Sequence, residues 1–183
     1  MRRRDFWINQ AFFQASWPAC VVGAAHGMTW PAVVLVGAFA AWQLHGDRIH
    51  ARDPLAVATF VAAGLAMGTL WIRTGVLEYA NRWPLDGFTP AWLLLLWVSL
   101  ALTANHSLAW FKSRWGVFLL LATVGSPLSY RAAAAVGAVD WLGPTWLVVL
   151  CVGPVWALVV ALLFRHLGVC DRTEADAVGL VRS

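Results

Sequence analysis

Long apolar runs alternate with short polar ones along the 183-residue chain and predict six helices, at about residues 4–25, 30–44, 54–77, 90–105, 115–139 and 144–165. Crossing ~30 Å of hydrocarbon at ~1.5 Å per residue takes about 20 residues. The second and fourth runs are short by that measure, so they would cross without tilt, in a thinned bilayer, or by extending into their loops. Pro31, Pro54, Pro90 and Pro144 stand at helix starts, where a missing N–H costs nothing. Pro18, Pro127 and Pro154 fall inside helices and predict kinks that neighbouring helices must accommodate. The longest connection, residues 78–89, is too short for a second domain. Residues 1–183 therefore read as one integral-membrane domain with a polar tail over 166–183.

Composition narrows the class. Hydrophobic residues make up 61% of the chain and charged residues 12%, whereas a hydrated soluble domain carries about 25% charged residues. There are 13 Trp against two Tyr, and Trp30, Trp83, Trp92, Trp115, Trp141 and Trp146 fall near predicted helix ends. An amphipathic indole at those positions sits at headgroup level. The net charge of +4 is spread over short loops, so it reads as attraction to anionic headgroups and not as a nucleic-acid patch.

Where the basic residues lie sets the orientation. Arg2, Arg3 and Arg4 precede the first helix, Arg48 and Arg52 lie between the second and third, and Lys112 and Arg114 between the fourth and fifth. Arg165, Arg172 and Arg182 follow the sixth, which leaves Arg73, Arg82 and Arg131 for the other face. Positive-inside bias then predicts an all-α, polytopic transmembrane bundle of six helices with both termini cytoplasmic. Cleavage of the first helix as a signal peptide fits less well. Asn9, Gln10 and Gln14 interrupt its apolar stretch, and removal would leave five helices with the wrong parity.

Polar side chains within the spans are costly unless they meet partners or water, so they mark candidate sites. Asn9, Gln10 and Gln14 group on the cytoplasmic half of helix one, and Asn105, His106 and Ser107 end helix four at the same depth. Together they could bind a headgroup or shuttle a proton, or they could simply hydrogen-bond helices together at ~0.6 kcal/mol per bond. Toward the outer face Arg131 lies ~24 Å along helix five from Trp115. With Tyr130 beside it and Glu78 at the predicted end of helix three, it forms a candidate anion site. Its guanidinium would suit a phosphate or carboxylate, or it could snorkel to the interface. His45 and His50 share a loop with Asp47 and Asp53, which reads as a solvated loop more than a metal site. No cofactor or metal motif is present, and there is no nucleophile elbow or phosphate-binding glycine loop. Cys20 and Cys151 fall at similar depth, where either a disulfide or two buried thiols would fit. A likeness between Thr29-Trp30 and Thr145-Trp146 with the residues that follow each is no more than this alphabet gives by chance, so no repeat is read.

Several strings carry a resemblance: Trp17-Pro18-Ala19-Cys20, Gly23-Ala24-Ala25-His26-Gly27, Thr103 to Leu108, and Ser126 to Tyr130. Together they resemble a bacterial family of small multi-pass inner-membrane proteins, domain-of-unknown-function family 2878. The resemblance implies location in the bacterial inner membrane. It also implies an acidic residue in helix three, where Gly68 and its neighbours stand instead. Members are often encoded near cyclopropane-type fatty-acyl modifying enzymes, which implies a lipid-related role and a lipid-modifying enzyme as a candidate partner. The first expectation is therefore a protein that binds, presents or helps to modify membrane acyl lipids, with a lateral pocket lined by Trp17, Trp156 and Phe164. A small-molecule transporter, or a non-catalytic subunit of a membrane complex, is the alternative. An apolar cleft would favour lipid handling, and a polar path across the bundle would favour transport.

Overall fold

The computed structural model describes residues 3–166, and among these six α-helices dominate. They are α1 (Arg3–Ala25), α2 (Trp30–Gln43), α3 (Asp53–Arg73), α4 (Ala91–Ala104), α5 (Trp115–Ala135) and α6 (Thr145–His166). Short 3-10 turns, Gly46–Arg48 and Ser107–Ser113, link α2 to α3 and α4 to α5. Three helical stretches are long and apolar enough to cross a membrane: Asp53–Arg73, Trp115–Ala135 and Val149–His166. The apolar helices α2 and α4 are shorter, at 14 residues each. The expected polar tail lies outside the described residues beyond His166.

Two predicted helices end earlier than the apolar pattern suggests. α3 stops at Arg73 and α5 at Ala135, and a short strand follows each: β1 (Leu77–Tyr79) and β2 (Val139–Trp141). The same cap ends both. Gly75 and Gly137 take positive φ angles of 66° and 80°. Val76 N–H then bonds to Trp71 C=O, and Ala138 N–H to Ala133 C=O, the six-to-one closure of a Schellman motif. Apolarity continued past each glycine, but helical geometry did not. β1 and β2 pair antiparallel with Glu78 opposite Asp140. The strings Gly75-Val-Leu-Glu-Tyr and Gly137-Ala-Val-Asp-Trp thus meet around a local two-fold axis between the two acids.

The helices run alternately up and down. One end of the molecule gathers the start of α1, the end of α2, the start of α3 and the end of α4, joined by side-chain hydrogen bonds. The start of α5 and the end of α6 lie there too, where Phe118 and Phe164 rings pack at 5.0 Å and Phe60 of α3 reaches Phe164. The β-ribbon marks the other end. There Asn81 donates to Thr29 Oγ1 at 2.9 Å, and the Trp92 indole donates to Ala80 C=O. Among the described basic residues, Arg3, Arg4, Arg48, Arg52, Arg114 and Arg165 lie at the first end, and Arg73, Arg82 and Arg131 at the ribbon end.

Packing divides the helices unequally. α1 to α4 form a close unit, in which Gly64 and Gly68 of α3 are the tightest points. A Cβ at Gly64 would stand 2.4 Å from the Trp97 ring, and one at Gly68 would stand 2.5 Å from Thr89 Oγ1. This is the small-residue spacing that lets membrane helices approach closely. α5 and α6 form a hairpin of their own, closest at Gly153, where a Cβ would lie 2.6 Å from Thr123 C=O. The hairpin meets the four-helix unit chiefly through the 3-10 turn after α4, the ribbon and the α3–α6 contact. Between unit and hairpin a space remains.

Candidate functional site

At the end opposite the ribbon, four helices contribute to one buried polar clasp. Asp53 opens α3 and is wholly buried, as are Asn9 and Gln43 to within 1%. The Asp53 carboxylate accepts from three directions: His106 Nε2 at 2.9 Å, Asn105 Nδ2 at 3.0 Å and the His50 backbone N–H at 2.8 Å. Asn9 Nδ2 donates to Gln43 Oε1 at 2.6 Å and to Leu102 C=O at 3.0 Å, while Ser107 Oγ–H donates to Asn9 Oδ1 at 2.6 Å. Gln43 Nε2 donates to Arg48 C=O and lies 3.1 and 3.3 Å from the two ring nitrogens of His106. A point nearly equidistant from both nitrogens sits over the ring face, since an in-plane position would collide with a ring carbon. The helix ends dictate these neighbours. α4 ends at Ala104, so Asn105, His106 and Ser107 turn back toward α1, α2 and α3. The clasp satisfies its own donors and acceptors, as polar groups removed from water must.

The second feature is a cavity of about 520 Å³ between the four-helix unit and the α5–α6 hairpin. It runs from Leu108, Phe111 and Phe118 near the clasp end to Ala133 and Val139 near the ribbon, about 22 Å measured along α5. Aromatic side chains dominate its wall, including Trp17, Trp97, Trp156 and Phe13. Trp97 and Trp156 stack at 5.0 Å across the gap between unit and hairpin. Among the lining residues only Gln14, Leu121 and Gly125 are exposed, so the mouth lies between α1 and α5. The Trp17 indole donates to Ser129 Oγ at 2.8 Å and bars the mouth on its ribbon side. The volume falls within the ~300–1,000 Å³ typical of small-ligand pockets.

The family model described as "Protein of unknown function (DUF2878)" matches residues 6–162. The chain belongs to the DUF2878 family. No curated protein and no solved structure matches it.

Within this DUF2878 member the sequence-derived groups are distributed unevenly. Asn9, Asn105, His106 and Ser107 meet in the clasp. Gln10 and Gln14 do not: Gln10 is half-buried outside the clasp's hydrogen bonds, and Gln14 is exposed at the cavity mouth. The outer anion site does not form. Glu78 pairs with Arg82 four residues on, because side chains alternate along β1 and it is Tyr79, one residue on, that lies beside Tyr130 of α5. Tyr130 turns inward beside Tyr79 and Trp156, while Arg131 next to it is exposed. Phe164 belongs to the aromatic packing at the clasp end and not to the cavity wall. Cys20 is buried and Cys151 half-buried, both as free thiols.

Two clasp residues were not foreseen. Asp53 reads from the sequence as part of a solvated loop, and Gln43 carries no signal of its own. The signal for Asp53 was its place directly before Pro54 at a helix start, where an acid faces the helix dipole. An acid on helix three is thus present, at its first residue and not near Gly68. Among the described residues no group of His, Cys, Asp and Glu could hold a metal ion.

Proposed function

We propose that this protein crosses a bacterial inner membrane six times, with both termini in the cytoplasm, and holds the hydrocarbon chain of a membrane lipid in its central cavity. The cavity carries this reading: it is apolar, aromatic-walled, about 520 Å³, and opens sideways between α1 and α5. Burying a chain there would contribute about 0.8 kcal/mol per methylene moved from water, though far less when the chain comes from lipid. Support for the orientation comes from the basic residues, six at the clasp end against three at the ribbon end among those described.

The protein is then a holder or presenter of lipid. Its described lining offers hydroxyls and indoles but no carboxylate, imidazole or thiol, so chemistry on the chain would fall to a partner lipid-modifying enzyme. Transport is less well supported, because the clasp is closed on itself and Arg131 lies outside any polar path to it.

The test is retention of lipid by protein extracted in mild detergent, read by native mass spectrometry. Wild type should carry a lipid adduct. Gly125→Phe, placed in open space at the mouth, should lose it while remaining folded. Equal adducts on both proteins would count against the cavity as the binding place.

A further inference from the structure

Among the described residues that line the cavity, one buried side-chain oxygen has nothing to bond. Ser126 is 8% exposed and lines the cavity, and its hydroxyl has no hydrogen-bond partner among the described residues. Most buried hydroxyls are paired, because an unmade hydrogen bond is costly. A second polar atom near the mouth also lacks a partner within its helix. Pro18 supplies no N–H to the C=O of Gln14 four residues earlier, so that carbonyl lacks its helical partner at the cavity mouth.

Charge and depth then limit what can enter. No Lys, Arg, His, Asp or Glu lines the cavity among the described residues, and an ionic group inside would be left uncompensated in an apolar site. The mouth is flanked by Gln14, the central residue of the 23-residue α1, and on the 21-residue α5 by Gly125, its central residue, and by Leu121 one turn nearer the clasp end. In a helix spanning ~30 Å of hydrocarbon, a central residue stands about 15 Å from either headgroup layer. A phospholipid could offer only the end of its tail there.

We infer that the ligand is a neutral chain lipid, bearing an uncharged hydroxyl or carbonyl that hydrogen-bonds Ser126, which reaches the protein through the middle of the bilayer. This rests on the proposed chain-binding function and names the class of lipid. Ser126 accepts from a ligand hydroxyl or donates to a ligand carbonyl.

Tritiated hexadecanol, hexadecane and dipalmitoylphosphatidylcholine, each offered to the full-length protein in detergent and measured as probe retained after gel filtration, test the inference. Hexadecanol should be retained by wild type. Ser126→Ala should weaken it roughly tenfold, the factor carried by ~1.4 kcal/mol, and leave hexadecane unchanged. The same variant should not destabilise the ligand-free protein, since the hydroxyl it removes bonds to nothing in it. Unchanged hexadecanol retention by Ser126→Ala would overturn the hydrogen bond. Phosphatidylcholine retained as strongly as hexadecanol, and blocked by Gly125→Phe, would overturn the neutral-lipid assignment while leaving chain binding intact. No retention of any probe, or retention indifferent to Gly125→Phe, would overturn both.

Discussion

Nε2 of His106 lies 2.9 Å from Oδ2 of Asp53, and that carboxylate is wholly buried at the first position of α3. Asp53 is the node of the clasp, since it also accepts from Asn105 and from the His50 backbone. Its loss strands three donors, whereas loss of His106 leaves the carboxylate two partners. We therefore expect Asp53→Ala to cost about 3 kcal/mol and His106→Ala about 1 kcal/mol, measured by unfolding in mixed micelles. His106→Ala should leave lipid retention measurable. Abolition of lipid retention by His106→Ala at full stability would make the clasp a working site.

The two helices of the hairpin touch at Gly153, and Gly125 faces open space. Gly153→Val would drive a side chain into the Thr123 carbonyl, which is backbone and cannot swing aside. A loss of roughly 2–3 kcal/mol is expected from overpacking of this kind, together with a changed lipid adduct as the hairpin splays. Gly125→Ala, whose added Cβ meets nothing within 4 Å, should instead stabilise by about 0.5–1 kcal/mol, the usual gain on removing glycine from a helix interior. Equal effects from the two would mean that α5 and α6 do not pack as described.

Topology has its own test. Single cysteines at Asp47 and at Asp86, each in a background with the native cysteines replaced, should react with membrane-impermeant maleimide from opposite sides. Asp86 should label in intact cells and Asp47 only after lysis. Labelling of both from outside would overturn the alternating six-span arrangement.

How legible was all this beforehand? Helix number and approximate position followed from apolar runs, because lipid or core burial demands them whatever the tertiary fold. The ends of α3 and α5 did not follow. Residues 76–77 and 138–139 continue the apolar runs of the helices before them, and the positive φ of Gly75 and Gly137 is what turns helix into strand. Depth matching brought Asn9 to Ser107, because both lie near helix ends at one face. It could not give azimuth, so Gln14, one turn past Gln10, faces the cavity mouth and not the clasp. Depth alone pairs Arg131 with Glu78, and the ion pair of Glu78 with Arg82, four residues on, lies outside any depth argument. The cavity depends on how a hairpin docks on a four-helix unit, which no local pattern encodes, and of its aromatic wall only Trp17 and Trp156 are legible in the sequence.

The most direct measurement of the central claim is photo-crosslinking in native membranes with a fatty acid carrying a chain-end diazirine, metabolically incorporated into lipids. Adducts mapped by peptide mass spectrometry should fall on cavity residues such as Trp17, Trp97, Ala122 and Trp156, and should disappear in Gly125→Phe. Adducts confined to exposed positions such as Val34, Leu120 and Leu128, undiminished by Gly125→Phe, would contradict it.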